Sequence, residues 1–261
     1  MRVALSSRPA VHERLTQVLD WSNGRYYRRA DRELHFSERI AQLRSSRAGE
    51  QCFVVGNGPS VRVEDLEALR GRATFGCNRI FEIYDRTEWR PEFYIAQDVY
   101  DARLPVHATE DRDSTRFVGA YFRRRWGLTG HEPLCFNGKK SVRNRGFSDD
   151  CAAWVGEFGT VTFTALQFAA YLGFKQVVLI GIDHSYARTL QAGGEIATES
   201  ERKDHFYSAP NRPDSLANIT LMEDAYRTAK EGCDRVGCEV VDATRGGHLQ
   251  VFPKVDLDEL L

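Results

Sequence analysis

Five polar clusters each follow a short apolar run, and their residue types are those that hold a polar ligand or move a proton. Gly56-Asn57-Gly58-Pro59-Ser60 follows the run 52–55, Gly76-Cys77-Asn78-Arg79 closes a second run, and Gln97-Asp98 closes a third. Gly181-Ile182-Asp183-His184-Ser185 follows the run 177–180, and Ala243-Thr244 follows 239–242. Glycines 56 and 58 let backbone come close to a ligand, and free amides near Ser60 suit an anion. Asn57 offers a donor and an acceptor to a sugar hydroxyl or a base edge. No Gly-Lys-Ser/Thr ends this loop, and the third glycine of the dinucleotide fingerprint is missing, so neither standard phosphate pattern applies. Each cluster alone also reads as an ordinary turn.

Two histidines stand where a general base is useful. His184 follows a strand end beside Asp183, and His205 lies next to Asp204 in a long connection, from which it reaches a cleft only on closure. A loop histidine satisfied by solvent is the plainer reading of each. Asp98, Asp183 and Asp204 are carboxylates suited to Mg²⁺ on a diphosphate, and equally to turn caps. His248 fits the turn after Gly246-Gly247, while His12, His35, His107 and His131 have no supporting context. The basic runs 123–125 and 139–145 read first as solvated loops. Arg143 and Arg145 are the candidates there to clamp an anionic acceptor or a leaving phosphate.

The elements that must position these residues alternate from residue 51 onward. Strands are predicted at 52–55, 73–76, 93–96, 177–180 and 239–242, with weaker candidates at 116–120 and 133–136. Helices are predicted at 63–69, 162–172 and 221–236. The run 177–180 is apolar on both faces, as a central parallel strand requires. Such alternation predicts an α/β fold, a Rossmann-like doubly wound and mostly parallel sheet, in which ligands sit outside the carboxyl ends of the strands. Residues 184–217 lack a sustained period and read as a lid. Residues 1–48 read as a helical N-terminal extension of two amphipathic helices, broken at Ser22-Asn23-Gly24, before a main domain over 49–261. Its RYYRR at 25–29 reads as a solvated helix face rather than a phosphate or membrane site.

The 36 basic and 37 acidic residues nearly cancel, which argues against a nucleic-acid binder that blankets phosphates. No apolar stretch approaches a membrane span, and the opening MRVALSSRPAVHERL is too polar for a secretion signal, so the cytoplasm is the simplest location. Six scattered cysteines without a Cys-x-x-Cys pair read as reduced, mostly buried thiols.

The V-V-G-N-G-P-S stretch, Phe75-Gly76-Cys77-Asn78-Arg79, Trp89-Arg90-Pro91, the Leu-Gly-Phe-Lys…Gly-Ile-Asp-His-Ser segment and Asp242-Ala243-Thr244…Phe252-Pro253 together resemble one group. It is the archaeal-type 6-hydroxymethylpterin diphosphokinase-like family of bacterial proteins, over about residues 50–258. The loop and the G-I-D segment also resemble bacterial sialyltransferases that use CMP-sialic acid. The resemblance implies that Gly56, Asn57, Gly58, Ser60, Asn78, Thr162, Thr164, Gly181 and Asp183 surround a nucleotide. It leaves His184 or His205, with Asp183, for catalysis, because Asn211-Arg212-Pro213 stands near where the sialyltransferases carry a lid histidine. The resulting expectation is a nucleotide-dependent transferase, first a glycosyltransferase with a CMP-activated sugar. The alternatives are a diphosphokinase acting on a pterin alcohol, with Asp98 and Asp183 on Mg²⁺, and a non-catalytic nucleotide or sugar module. Expected partners are a nucleotide or nucleotide-sugar and a small-molecule or glycan acceptor, with no tightly bound cofactor; self-association is compatible with the sequence.

Overall fold

The computed structural model describes residues 9–97, 103–105, 114–140, 146–186, 188–190, 196–198, 204–207 and 217–261. Seven short strands form one wholly parallel sheet. They are β1 (Gln51–Val55), β2 (Thr74–Cys77), β3 (Phe93–Ala96), β4 (Thr115–Gly119), β5 (Leu134–Phe136), β8 (Gln176–Ile180) and β12 (Glu239–Asp242), in the order β12-β8-β1-β2-β3-β4-β5, while β6 (Gly138–Lys139) and β7 (Val155–Gly156) pair with each other outside it. The chain builds outward from β1 on one side and later returns to its other side with β8. The β1–β8 boundary is therefore the point where strand order reverses, and the crevice opens there.

Successive strand residues point to opposite faces, and both faces are covered. Cys52 and Val54 of β1 join one core with α2 (Phe36–Ala41), α5 (Val161–Leu172) and α6 (Ile219–Arg235). Phe53 and Val55 join the other, with α3 (Val63–Ala68), the 3₁₀ segment Asn78–Arg86 and the C-terminal Leu257. A parallel strand with no solvent face must be apolar throughout, which is why 177–180 carries no polar residue. Phe168 of α5 stacks on Phe117 with ring centroids 4.1 Å apart and meets the edge of Phe136 at 5.4 Å, seating α5 on β4 and β5. Gly173 ends α5 at φ 90°, a left-handed cap open to glycine.

Three expectations need correction. Ser22-Asn23-Gly24 does not break a helix: α1 runs unbroken from Pro9 to Leu34, and the chain bends at His35, at φ 53°. Gly24 is buried opposite Asn137 and Lys139, inside the continuous helix. The apolar Leu15, Val18 and Leu19 do not form the inner face either; they are exposed, while Asp20, Asn23 and Tyr27 are buried. The Asp20 carboxylate accepts the Lys140 amide at 2.9 Å, a pairing invisible to a hydrophobic pattern. Finally, residues 123–125 are not a loop. They close the short helix α4 (Ala120–Trp126), in which Arg123 is 1% exposed, lies over the Phe36 ring and donates to the Gly130 carbonyl. Within the lid span, the described residues include the short strands β9 (Arg188–Leu190), β10 (Ile196–Thr198) and β11 (Ala217–Asn218), which form a small separate sheet.

Candidate functional site

β1 and β8 run in register, Val55 beside Ile180, and their exits are stitched together. The Gly56 amide donates to the Ile180 carbonyl at 2.8 Å, and the Gly58 amide to the Gly181 carbonyl at 3.0 Å. A Cβ on Gly56 would overlap the Gly181 carbonyl, and one on Gly58 would overlap the Asp183 carboxylate. These glycines therefore first let two strand-end loops approach each other. Gly181 and His184 take left-handed backbone, at φ 68° and 52°, which turns the second loop sharply across the first.

The predicted residues divide by what their side chains do. Ser60 faces away from the crevice: its amide donates to Asp183 Oδ1 at 3.1 Å and its hydroxyl to Oδ2 at 2.7 Å. Asp183 is thus a clasp between the loops, and burial raises its carboxyl above the usual range against the pull of those two bonds. Asn57 Nδ2 donates to the Cys77 carbonyl at 3.0 Å, joining the loop to β2, while its buried Oδ1 has no hydrogen bond among the described residues. Asn78, at φ 49°, accepts the Gln97 amide on Oδ1 at 2.7 Å. Thr164 lies deeper, fully buried, and donates to Gln97 Oε1 at 2.9 Å. It supports the β2–β3 exit from behind.

What remains at the crevice is a cavity of about 140 Å³. Gly56, Asn57 and Gly58 form one wall, with Asn78, Thr162 and Gly181. Asp183, His184 and His205 reach it as well, so nine of the predicted positions converge there. The His184 ring is 5% exposed; its Nε2 lies 3.6 Å from Glu223 Oε1, and among the described residues neither nitrogen has a hydrogen-bond partner. Burial lowers its proton affinity below that of an ordinary histidine, and nearby Glu223 only partly offsets this. A lowered proton affinity favours the neutral imidazole, the form that accepts a proton. Tyr226, from the same helix as Glu223, closes the floor by hydrogen bonding Thr160 and Thr162, and burial pushes its hydroxyl up to about 12.

The segment 204–207 covers the crevice. The Phe206 amide donates to the Asn57 carbonyl at 3.0 Å, and the Arg79 guanidinium lies 4.1 Å over the Tyr207 ring. His205 stacks on Tyr207 at 4.8 Å. His248 is exposed, and its amide donates to the Asp183 carbonyl at 2.9 Å, so it belongs to the turn. Asp98, Arg143 and Arg145 lie outside the described residues. Lys140, from the same basic run, is engaged inside the fold, with its ammonium 3.8 Å from buried Glu157 and over the rings of Tyr121 and Phe122. Among the described residues no three His, Cys, Asp or Glu side chains cluster as a metal site, and Asp183 already spends both oxygens on Ser60. Of the two carboxylates named for a metal, Asp183 is thus engaged as a loop clasp.

Sequence reasoning missed Glu223, Tyr226 and Thr160. Glu223 and Tyr226 are three apart on the helix that follows the long connection, so they share a face toward the cleft. That spacing was the available signal, obscured because Tyr226 also sits in the helix's apolar stripe.

The family model described as 6-hydroxymethylpterin diphosphokinase MptE-like matches residues 26–189. That span includes the loop 56–60, the β2 exit and the Gly181–His184 turn. No curated protein and no solved structure matches the chain significantly.

Proposed function

The chain belongs to the 6-hydroxymethylpterin diphosphokinase MptE-like family, and from that premise we propose that it transfers a diphosphoryl group from a nucleoside triphosphate to the hydroxyl of a pterin-like alcohol. The single observation that carries the reading is the buried His184 ring lining a glycine-walled crevice, 3.6 Å from the Glu223 carboxylate. The acceptor oxygen forms a bond to the β-phosphorus, its proton passes to His184, and the bond to the α-phosphate oxygen breaks to release the nucleoside monophosphate. Positioning and charge neutralisation carry most of such a transfer. A Mg²⁺ ion bound to the triphosphate enters as part of the substrate. Gly56 and Gly58 bound the phosphate corner, and Asn57 Oδ1 can accept from a ribose hydroxyl or a base N–H.

A second reading, glycosyl transfer from a CMP-activated sugar, is favoured by one observation: His205 is held at the crevice by a segment bonded to the loop itself. It uses the same pocket and the same kind of base. The family description supports the diphosphokinase reading and says nothing of CMP-sugars, which reverses the order expected from the sequence.

Thermal denaturation with ligands separates the two. ATP with Mg²⁺ is expected to raise Tm, by the stabilisation that any ligand of the folded state confers. A rise with CMP alone, and none with Mg-ATP, assigns the second reading. No shift with ATP, CMP, CDP or UDP overturns both.

A further inference from the structure

We propose that the outward face of α1 docks on an anionic phospholipid surface, with guanidinium groups on the headgroups and Trp21 and its aliphatic neighbours at the acyl boundary. This is independent of the reaction assigned to the crevice. Along this helix the positions 14, 18, 21, 25, 28 and 32 advance by three or four residues, so they share one side. Arg25, Arg28, Arg29, Arg32 and Arg124 line an open groove of about 810 Å³ together with Trp21.

None of these five guanidinium groups is paired with a carboxylate among the described residues: Arg25 lies over the Trp21 ring at 5.1 Å, and Arg124 donates only to the Ser22 hydroxyl at 2.9 Å. Glu33 is the one acidic residue lining the groove. The whole chain carries a net charge of −1, so this face concentrates positive charge that the rest of the molecule cancels. Such an asymmetry orients a protein against a negative surface.

Toward the start of the helix, Val18 and Trp21 lie on this side and Leu15 and Leu19 flank it around the outer half of α1, at 62%, 61%, 54% and 50% accessible. Four exposed large apolar side chains on one helix call for a partner. Aliphatic groups next to arginines, with a tryptophan between them, match the layering of a bilayer interface. A nucleic acid would use the arginines and the tryptophan but has no place for Leu15, Val18 and Leu19. A second copy would bury the aliphatics but bring the two arginine rows toward each other. Among the described residues no helix is long and apolar enough to cross a membrane, so the contact is from the surface.

The test is co-sedimentation of the full chain with vesicles. It is expected to pellet with phosphatidylcholine vesicles containing one-third phosphatidylglycerol at low salt, and to remain in solution with phosphatidylcholine alone. Arg25→Gln, Arg29→Gln and Arg32→Gln together should weaken the partition about a hundredfold, at roughly fivefold for each arginine near an anionic surface. Trp21→Ala with Val18→Ser should remove the part of the binding that survives high salt. All these positions are exposed, and an unchanged melting curve confirms that each variant is folded. Absence of pelleting with anionic vesicles overturns the proposal, as does binding indifferent to the arginine substitutions. So does tighter binding to single-stranded RNA that ignores Val18→Ser, or a dimer in solution that Val18→Ser dissociates.

Discussion

His184→Ala is expected to lower kcat about a hundredfold to ten-thousandfold, the usual contribution of a positioned proton acceptor, while nucleotide binding changes little. The ring lies at the crevice but the loop 56–58 and the β2 exit are held by their own backbone and side-chain bonds, so the nucleotide corner survives its removal. Glu223→Gln is expected to be milder and to reveal itself through pH. Glu223 raises the proton affinity of His184 against the larger effect of burial, so its neutralisation lowers that affinity further. The acid limb of the rate profile should therefore start below the ordinary histidine value in the wild type and move to still lower pH in Glu223→Gln. Stability follows the same sign: the contribution of a depressed histidine is present above its unfolded value and is lost as pH falls through the folded one. A His184→Ala enzyme with unchanged turnover, or an acid limb that moves upward in Glu223→Gln, removes His184 from the mechanism.

Gly56→Ala is expected to cost about 3 kcal/mol, the upper range for forcing an extra methyl into a packed site. In a chain of this size that lowers Tm by roughly 6–12 °C. The new Cβ meets the Gly181 carbonyl, which is backbone and cannot rotate aside. Gly237→Ala is the control. Gly237 has φ 75° and open space around it, so that change carries backbone strain without a collision, on the order of 1 kcal/mol. If the two variants melt together, the close approach of the β1 and β8 exits is not what demands glycine. Because the two exits form the crevice, Gly56→Ala should also abolish the ligand-induced shift in Tm at temperatures where the protein is still folded.

The alternation of apolar runs with helices exposed the sheet, and β3 and β12 fall on the predicted residues because both are short and bounded by turn formers. The site was legible as a set of strand ends, since a parallel sheet delivers all of them to one edge. Ser60 and Thr164 show the limit of that logic. A family resemblance places a side chain near a ligand, yet whether it faces the ligand or braces its neighbours depends on contacts far apart in sequence. Ser60 bonds a carboxylate in the loop after β8, and Thr164 bonds Gln97. The unbroken α1 was hidden for a related reason. Its inner side buries Asp20, Asn23 and Tyr27, so its outward apolar residues mimic a buried stripe.

The six cysteines are all unpaired and buried, and they are distributed from β1 to the start of β12. Burial holds the thiols of Cys52, Cys77, Cys135 and Cys151 protonated, and Cys233 is held so chiefly by its hydrogen bond to Cys238. Only Cys238 is shifted the other way, by the hydrogen bond it shares with Cys233. Attack on a thiol reagent needs a thiolate in contact with solvent, so the closed molecule offers almost none. Each cysteine therefore acts as a clock for the opening of its own neighbourhood. Cys77 times the β2 side of the crevice and Cys135 the far edge of the sheet. Cys233 and Cys238 time the helix that carries Glu223, and their labelling rates would rank how readily each part of the molecule comes apart.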